Sequence, residues 1–294
     1  MLSVDLATTA RNRGLRRTAT LDGIECVYYD YPASGNSDET IVMIHGYRGN
    51  HRGLEAIAGG LSSYRVIIPD LPGFGESKPF LGKHNLDTYA KWLKAFLETL
   101  GLSGSAYLVG HSFGTLVVGT YATTNKSKAI VLINPVSAPA LSGPRAFLTR
   151  ITSWFYHLST SIPESIGSWL LRNPVAVMVM SSVMAKTKDR KLRRWIHEQH
   201  LANFSDFASV AVASEGYDAS ISSDLSVMAP LIQSPVLVVA ATLDDITDID
   251  TQREVVKLYP NASLVEIQGV GHLVHYEAPS QAANHIAAFV ENQK

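Results

Sequence analysis

The sequence predicts an α/β protein built on a mostly parallel sheet, and three features support that class. Short β-rich runs alternate with helix-like stretches, as in strands joined by crossover helices. From the third run onward, most runs are continuous apolar blocks such as IVMI, VIIP and AIVLI, which suit strands buried on both faces. The alternation stops after residue 134 and resumes near residue 231, which predicts a helical insertion in the sheet domain.

Eight runs are candidate strands. They cover residues 17–21, 25–31, 41–45, 65–69, 106–110, 129–133, 236–241 and 264–267. The first two alternate more than the others, which predicts an antiparallel edge. The clearest helix covers residues 88–100, where the apolar residues recur at the spacing of one buried helix face.

We divide the chain into three predicted parts: a loose N-terminal tail over residues 1–15, a core over residues 16–134 and 231–294, and a helical cap over residues 135–230. The cap is rich in aromatic residues and methionine. We expect most of these side chains to form the core of the cap and its seam with the sheet, and a minority to line a substrate pocket. They are Phe147, Trp154, Phe155, Tyr156, Trp169, Met178, Met180, Met184 and Trp195.

Composition and charge exclude several classes of function. The 294 residues carry a formal net charge of −1, so nothing global indicates a nucleic-acid partner. The single cysteine, Cys26, rules out an internal disulfide and cysteine-pair metal sites. We find no pattern for a metal or an organic cofactor, and we expect a small-molecule substrate.

The sequence also bears on location and assembly. No apolar stretch of signal-peptide length follows the N-terminal arginines, and the most apolar run, residues 174–184, is too short to span a bilayer. We therefore expect a soluble, cytoplasmic protein without stable membrane insertion; a homo-oligomer remains open. The cap also contains a basic run. We interpret it as a solvated helix face, with an anionic substrate tail or a weak acidic membrane surface as alternatives. Its members are Lys186, Lys188, Arg190, Lys191, Arg193 and Arg194.

One motif carries a candidate nucleophile. The segment GHSFG at residues 110–114 lies between a predicted strand and a predicted helix. In this G-x-S-x-G arrangement the chain turns sharply at the serine, so the positions two residues either side must be small. The turn would lift the hydroxyl of Ser112 off the sheet edge, near a helix N-terminus.

A serine hydroxyl needs a base, and the base needs an acid that orients it. The best base is His272, which follows the last predicted strand; His275 is its rival. Asp244 and Asp245 both follow the preceding strand, where this architecture places catalytic groups. The chain order of serine, aspartate and histidine is the one expected for this turn around Ser112.

The negative charge that develops on an attacked carbonyl oxygen needs preorganised N–H donors. One candidate is the backbone N–H of Phe113, directly after the serine. The other is the backbone N–H of Tyr47, because the glycine-containing loop at residues 45–50 can fold toward Ser112. The sequence does not identify the substrate-contacting side chains.

From residue 16 to residue 290 the chain resembles the α/β-hydrolase fold superfamily. Four blocks match in order: HGY at residues 45–47, DLPGFGES at 70–77, GHSFG at 110–114 and GH at 271–272. The resemblance implies an eight-stranded, mostly parallel sheet with a helical cap after strand six.

The resemblance also implies roles for individual residues. The family's acid commonly follows a Gly-x-x-Asp pattern, which the chain matches at residues 241–244 with alanine for glycine, so Asp244 is favoured over Asp245. The family's alternative acid position, after strand six, holds Asn134, which cannot serve. In the family the block at residues 70–77 shapes a loop near the site, and we expect Asp70 and Ser77 to be structural.

These residues predict a hydrolase with a catalytic triad of Ser112, Asp244 and His272, acting through an acyl-enzyme on a small to medium, largely apolar ester, lactone, thioester or amide. Three alternatives use the same fold. They are a carbon–carbon bond hydrolase of ring-cleavage products, a cofactor-free haloperoxidase-like enzyme and a non-catalytic ligand receptor. The first is disfavoured because those enzymes typically carry tryptophan after the catalytic histidine, where this chain has Leu273.

Overall fold

The computed structural model of the protein describes residues 2–35, 37–139 and 146–293. Its centre is one sheet of eight strands. They are β1 (Leu15–Leu21), β2 (Ile24–Tyr31), β3 (Thr40–Ile44), β4 (Arg65–Pro69), β5 (Tyr107–His111), β6 (Ala129–Ile133), β7 (Val236–Ala241) and β8 (Ala262–Ile267). The spatial order is β1-β2-β4-β3-β5-β6-β7-β8. The β1–β2 and β2–β4 pairs are antiparallel and the other pairs are parallel. The predicted fold class is therefore confirmed, including the antiparallel edge.

Helices flank the sheet. Within the described ranges they are α1 (Ser3–Arg13), α2 (Glu55–Gly60), α3 (Leu86–Thr99), α4 (Phe113–Ala122), α5 (Ala146–Thr160), α6 (Glu164–Leu171), α7 (Pro174–Met184), α8 (Arg190–Asn203), α9 (Val210–Ile221), α10 (Leu225–Met228), α11 (Ile249–Val255), α12 (Val274–Glu277) and α13 (Pro279–Glu291). None of the helices in these ranges is both long and apolar enough to cross a membrane.

The parallel strands are buried on both faces, as their apolar blocks predict. Along β3, Val42 and Ile44 pack with α3 and α4, whereas Ile41 and Met43 pack with α2 and α13 on the other face. Two apolar cores therefore enclose the sheet, and the carboxyl ends of its central strands form a rigid platform for side chains.

The predicted loose tail over residues 1–15 is wrong. Residues Ser3–Arg13 form helix α1, and Leu6, Ala7 and Ala10 are buried against the core domain. This apolar stripe is narrow and the rest of the helix is polar, so the amphipathic signal in the sequence is weak.

Two features fix α1 to α2. Arg11 and Glu55 form an ion pair with 2.6 Å between Nη2 and Oε2, and the Glu55 side chain is almost fully buried. A Cβ atom on Gly59 would lie 1.9 Å from the backbone oxygen of Leu6, so the two backbones approach in a way that only glycine permits.

Helices α5–α10 lie between β6 and β7, and we call them the helical insertion. Contrary to expectation, some of its large side chains are not in a core: Phe147, Trp154 and Trp169 are each more than 60% exposed. Trp195 is partly buried and packs edge-on against Tyr276. Residues 140–145 lie outside the described residues, and the domain boundaries at 134/135 and 230/231 stay a prediction.

Candidate active site

Ser112 lies in a strained turn between β5 and α4. Its backbone has φ 52° and ψ −119°, a conformation that L-residues rarely adopt. A Cβ atom on Gly110 would lie 2.5 Å from the backbone oxygen of Gly114, and one on Gly114 would lie 2.2 Å from that of Ile44. The tight turn therefore requires both glycines, which is the physical reason for the G-x-S-x-G pattern.

A chain of hydrogen bonds joins the three predicted catalytic side chains. The Ser112 Oγ lies 2.7 Å from Nε2 of His272, and Nδ1 of His272 lies 2.9 and 3.0 Å from the two carboxylate oxygens of Asp244. His272 and Asp244 are both buried. The Asp244 carboxylate also accepts a hydrogen bond from the backbone N–H of Ile246, at 2.7 Å, which fixes its orientation. In this geometry Nδ1 donates to Asp244 and Nε2 accepts from the serine hydroxyl, as an activated serine requires.

The rival residues line the same cavity but are not hydrogen-bonded to Ser112 or His272. Asp245 forms an ion pair with Lys186. His275 is buried with its ring centroid 4.0 Å from that of His111, and its Nδ1 has no hydrogen-bond partner among the described residues. The structure thus joins Asp244 and His272, not Asp245 or His275, to Ser112.

The two candidate oxyanion donors lie beside the serine. A Cβ atom on Gly46 would lie 3.3 Å from Cβ of Ser112, so the loop that carries Tyr47 packs directly on the serine. Phe113 is the first residue of α4, where a backbone N–H has no partner inside the helix. Across the described part of the chain, no protein acceptor engages the N–H of Tyr47 or of Phe113. Both are free to bind an oxyanion, and their role stays a prediction.

A cavity of about 820 Å³ contains Ser112, Asp244 and His272. That volume is within the range of small-molecule sites, roughly 300–1,000 Å³. Its apolar wall includes Val136, Met180, Met184, Ile221, Ile246 and Leu273, and its polar wall includes Gln199, His200 and Asn203. Of the aromatic and methionine side chains named from the sequence, Tyr156, Met180 and Met184 line this cavity.

Residues 39–279 match the sequence profile of the α/β hydrolase fold family. The chain belongs to this family. Among curated proteins, it is 25% identical over 266 residues to lipase 3 of Moraxella sp., covering 87% of this chain and 78% of the lipase. It is 26% identical over 271 residues to lipase 1 of Psychrobacter immobilis, covering 88% and 79%. Among solved structures, a thermophilic esterase from Thermogutta terrifontis superposes with a TM-score of 0.75 at 20% identity, covering 95% of this chain and 99% of the esterase.

In this α/β hydrolase, the loop that carries Tyr47 is held from the side of the helical insertion. The Tyr47 hydroxyl donates to the backbone oxygen of Ala213 in α9, at 2.6 Å. Its ring lies 6.0 Å from that of Tyr156 in α5 and 5.9 Å from that of Tyr217 in α9. The position of this loop therefore depends on the insertion.

Arg48, the next residue, strengthens that link. Its guanidinium is buried and donates to the backbone oxygen of Phe204 at 2.9 Å, the hydroxyl of Tyr156 at 3.1 Å and the backbone oxygen of Leu171 at 2.7 Å. One side chain thus joins α5, α6 and the end of α8 to a loop residue with a φ of 56°. Sequence analysis missed this residue because its partners are mostly backbone groups far along the chain.

Asn134 joins the loop that carries Asp244 to the loop that carries His272. Its side-chain N–H donates to the backbone oxygen of Gly271 at 3.1 Å, and its side-chain oxygen accepts from the backbone N–H of Ala241 at 2.9 Å. Its φ of 45° is a conformation that asparagine adopts more readily than most residues. The residue cannot act as the acid, but it positions the loop that carries His272.

Glu277 fixes the histidine loop from the other side. One carboxylate oxygen accepts from the backbone N–H of Gly271 at 3.0 Å. The other accepts from the backbone N–H groups of Lys186 and Thr187, at 2.6 and 2.7 Å. A second contact therefore connects the insertion to the loop that carries His272.

Neutral histidines surround His272. The pKa of His111 is lowered to about 3. Burial is the main cause, and electrostatic repulsion by His272 is the second. Burial, and then the neighbouring histidines, lowers the pKa of His275 well below its ordinary value. Burial also lowers the pKa of His200 to about 4. At neutral pH these three rings are therefore uncharged and add no positive charge to the cavity that contains His272.

Asp70 and Ser77 have structural contacts outside the cavity. The carboxylate of Asp70 accepts from the backbone N–H and Nδ1 of His51, at 2.7 and 2.9 Å, and from the backbone N–H of Glu76 at 2.9 Å. The Ser77 hydroxyl donates to the backbone oxygen of Asp70 at 2.7 Å. Burial acts to raise the pKa of Asp70, but the bonds from His51 and the Glu76 backbone outweigh it and hold that pKa below its usual value.

The same residues form the cluster that most resembles a metal site. His51, Asp70 and Glu76 could bring three ligand atoms within 4.8 Å of one another. The two Glu76 oxygens, however, already bind Arg16 and Tyr29. Both Asp70 oxygens are likewise occupied by N–H donors. Protein donors therefore account for these carboxylates without a cation.

Proposed function

We propose that the protein is a serine hydrolase that cleaves carboxylic esters through an acyl-enzyme on Ser112. The observation that carries the proposal is the hydrogen-bonded chain from Asp244 through His272 to Ser112, at the base of a cavity. The similarity to two bacterial lipases supports an ester over other acyl substrates.

The proposed reaction has two steps. His272 accepts the proton of Ser112 as the serine attacks the ester carbonyl, and then gives it to the departing alcohol. The N–H groups of Tyr47 and Phe113 stabilise the oxyanion. In the second step His272 activates water, which releases the acid and restores the serine.

The cavity supports a small to medium, largely apolar acyl group. Its apolar wall of valine, isoleucine, leucine and methionine would bury the chain, while the polar side chains of α8 would face the more hydrated end of the ligand. The cavity volume of about 820 Å³ lies within the range of roughly 300–1,000 Å³ for small-molecule sites, so the cavity suits a drug-sized ligand.

The proposal is tested by the turnover of p-nitrophenyl esters of graded acyl length by the purified full chain. We expect hydrolysis with an optimum at short to medium chains, and a loss of several orders of magnitude in kcat for Ser112→Ala, because the three side chains act as a unit. Absence of ester turnover, or near-normal turnover by folded Ser112→Ala, would overturn it.

A further inference from the structure

Three consecutive helices of the helical insertion, α5, α6 and α7, each expose large apolar side chains. They are Phe147, Ile151, Trp154 and Leu158 on α5, Ile166 and Trp169 on α6, and Val175, Val179 and Val183 on α7, each between 40% and 69% exposed. The spacings of three and four residues place the members on each helix along one stripe. We call this set the insertion face.

Helices α5 and α7 each have a second side, which faces the cavity. On α5, Thr152 and Tyr156 line the cavity, and on α7, Met180 and Met184 do so. The exposed stripes are thus additional to the side chains that the fold buries. Large apolar side chains that are exposed in such numbers are typical of interaction sites.

Charge indicates the kind of ligand. Residues 146–201 contain eight lysine and arginine residues against three aspartate and glutamate residues, although the whole chain has a net charge of −1. At the exposed start of α8, no described carboxylate lies within ion-pair distance of Arg190, Lys191 or Arg194. The cations beside the insertion face are therefore available to an anionic partner.

A cleft between α7 and α8 combines both properties. It has a volume of about 360 Å³ and is lined by Met178, Leu201, Arg190, Arg193, Arg194, His197 and Glu198. Arg193 also donates to the backbone oxygens of Ser182 and Ala185, which fixes the basic start of α8 to the apolar α7. An apolar floor with a cationic rim fits a lipid whose headgroup is a phosphate.

We propose that the insertion face binds an anionic lipid surface. Its apolar side chains enter the boundary between headgroups and acyl chains, while Arg190, Lys191 and Arg194 contact lipid phosphates. Trp154 and Trp169 have the amphipathic rings that favour this boundary. A second copy of the chain is a poorer occupant, because pairing two such faces would bring their like charges together.

The test is flotation of the full chain with vesicles of phosphatidylcholine alone and of phosphatidylcholine with phosphatidylglycerol in equal amounts. We expect tighter binding to the anionic vesicles, weakened by salt. The double variant Trp154→Ser, Trp169→Ser should lose about tenfold or more in partitioning to both vesicles. Arg190→Gln, Lys191→Gln and Arg194→Gln should each lose about fivefold on the anionic vesicles alone.

Matched controls lie outside the insertion. Leu81 is 96% exposed, so Leu81→Ser removes an exposed apolar side chain without touching the insertion face. Lys83→Gln and Lys91→Gln remove exposed cations in the same way. All three should bind vesicles like the wild type, and every variant should keep its turnover of a water-soluble ester, which separates this proposal from the proposed function.

Two results would overturn the proposal. One is equal vesicle binding by the wild type and the tryptophan variant. The other is a dimer of the wild type in sedimentation velocity without lipid that the variant Trp154→Ser, Trp169→Ser cannot form, which would assign the insertion face to a second copy.

Discussion

Ser112 is the residue on which the proposed chemistry depends, and its backbone conformation is energetically unfavourable. A non-glycine residue in such a conformation costs about 1–3 kcal/mol, which the surrounding structure must outweigh. Here the packing of Gly110 and Gly114 against neighbouring backbone supplies that constraint. The strain places the hydroxyl 2.7 Å from Nε2 of His272 rather than along the sheet.

At this scale the sequence predicts the three reactive side chains but not their supports. Ser112, Asp244 and His272 each follow a strand, so a pattern of strands and polar residues is sufficient to find them. Asn134 acts through backbone groups 137 and 107 positions away, and no local pattern encodes such contacts.

The first prediction separates the two adjacent acids. Asp244→Asn should lower kcat for ester hydrolysis by about 10³–10⁴-fold, because an amide favours the wrong histidine tautomer. Asp245→Asn is the matched control, since it changes the adjacent carboxylate, which forms an ion pair with Lys186 rather than a hydrogen bond to His272, and it should keep kcat within about threefold. Steady-state kinetics on both folded variants measures this. Equal losses, or a larger loss for Asp245→Asn, would contradict the assignment.

At the scale of elements, the helical insertion is tied to the loops that carry Tyr47 and His272. Tyr47 and Arg48 bind α5, α6, α9 and the end of α8, and Glu277 binds the loop before α8. The insertion therefore helps to hold one proposed oxyanion donor and the histidine loop. The strands were predictable from their apolar blocks, whereas the exposed tryptophans of the insertion were not, because periodicity does not say which apolar stripe is buried.

The second prediction tests this coupling. Arg48→Met should lower kcat about tenfold with a smaller change in KM, since a displaced Tyr47 N–H weakens an interaction made mainly in the transition state. Arg172→Met is the control. Arg172 donates to the backbone oxygen of Phe207 at 2.7 Å within the insertion and, among the described residues, makes no hydrogen bond to the loop that carries Tyr47.

The readouts are steady-state kinetics and thermal unfolding. The control should change kcat by no more than about twofold even if its stability falls. A similar loss of kcat in both variants would show that Arg48 acts only through general stability, and an increase confined to KM would show that it acts on substrate binding.

At the scale of the whole molecule, buried neutral histidines link stability to pH. His111 and His200 have pKa values of about 3 and 4, and the pKa of His275 is also depressed. In the unfolded chain each titrates near its ordinary value of about 6.5. The unfolded state therefore binds more protons below that pH, so the stability present above it is lost as the pH falls.

The third prediction concerns the size of this loss of stability. Between about pH 6 and pH 4.5 the free energy of unfolding should fall by about 1.4 kcal/mol per pH unit for each of His111 and His200, and His275 should add to the fall. Denaturant unfolding across this range measures the slope. His200→Gln should reduce the slope by one such increment, whereas Asn203→Ala, a non-titrating neighbour on α8, should leave it unchanged. A flat stability profile, or an unchanged slope in His200→Gln, would contradict the account.

The N-terminal helix shows that packing between elements cannot be predicted from the local sequence alone. Helix α1 buries only Leu6, Ala7 and Ala10, and it is held by Arg11 against a buried Glu55. The position of α1 depends on the surface of α2. That surface is formed by residues far from 1–15 in the sequence, so residues 1–15 alone cannot predict it. Small apolar stripes become meaningful only when the partner surface is known.

The most direct test of the central claim is the site of covalent labelling by a fluorophosphonate. The full chain should take up one label, and peptide mass spectrometry should locate it on Ser112. His272→Ala should label far more slowly, because the hydroxyl then lacks its base. A label on another residue, or no label on a protein that still hydrolyses esters, would contradict the assignment of Ser112 as the nucleophile.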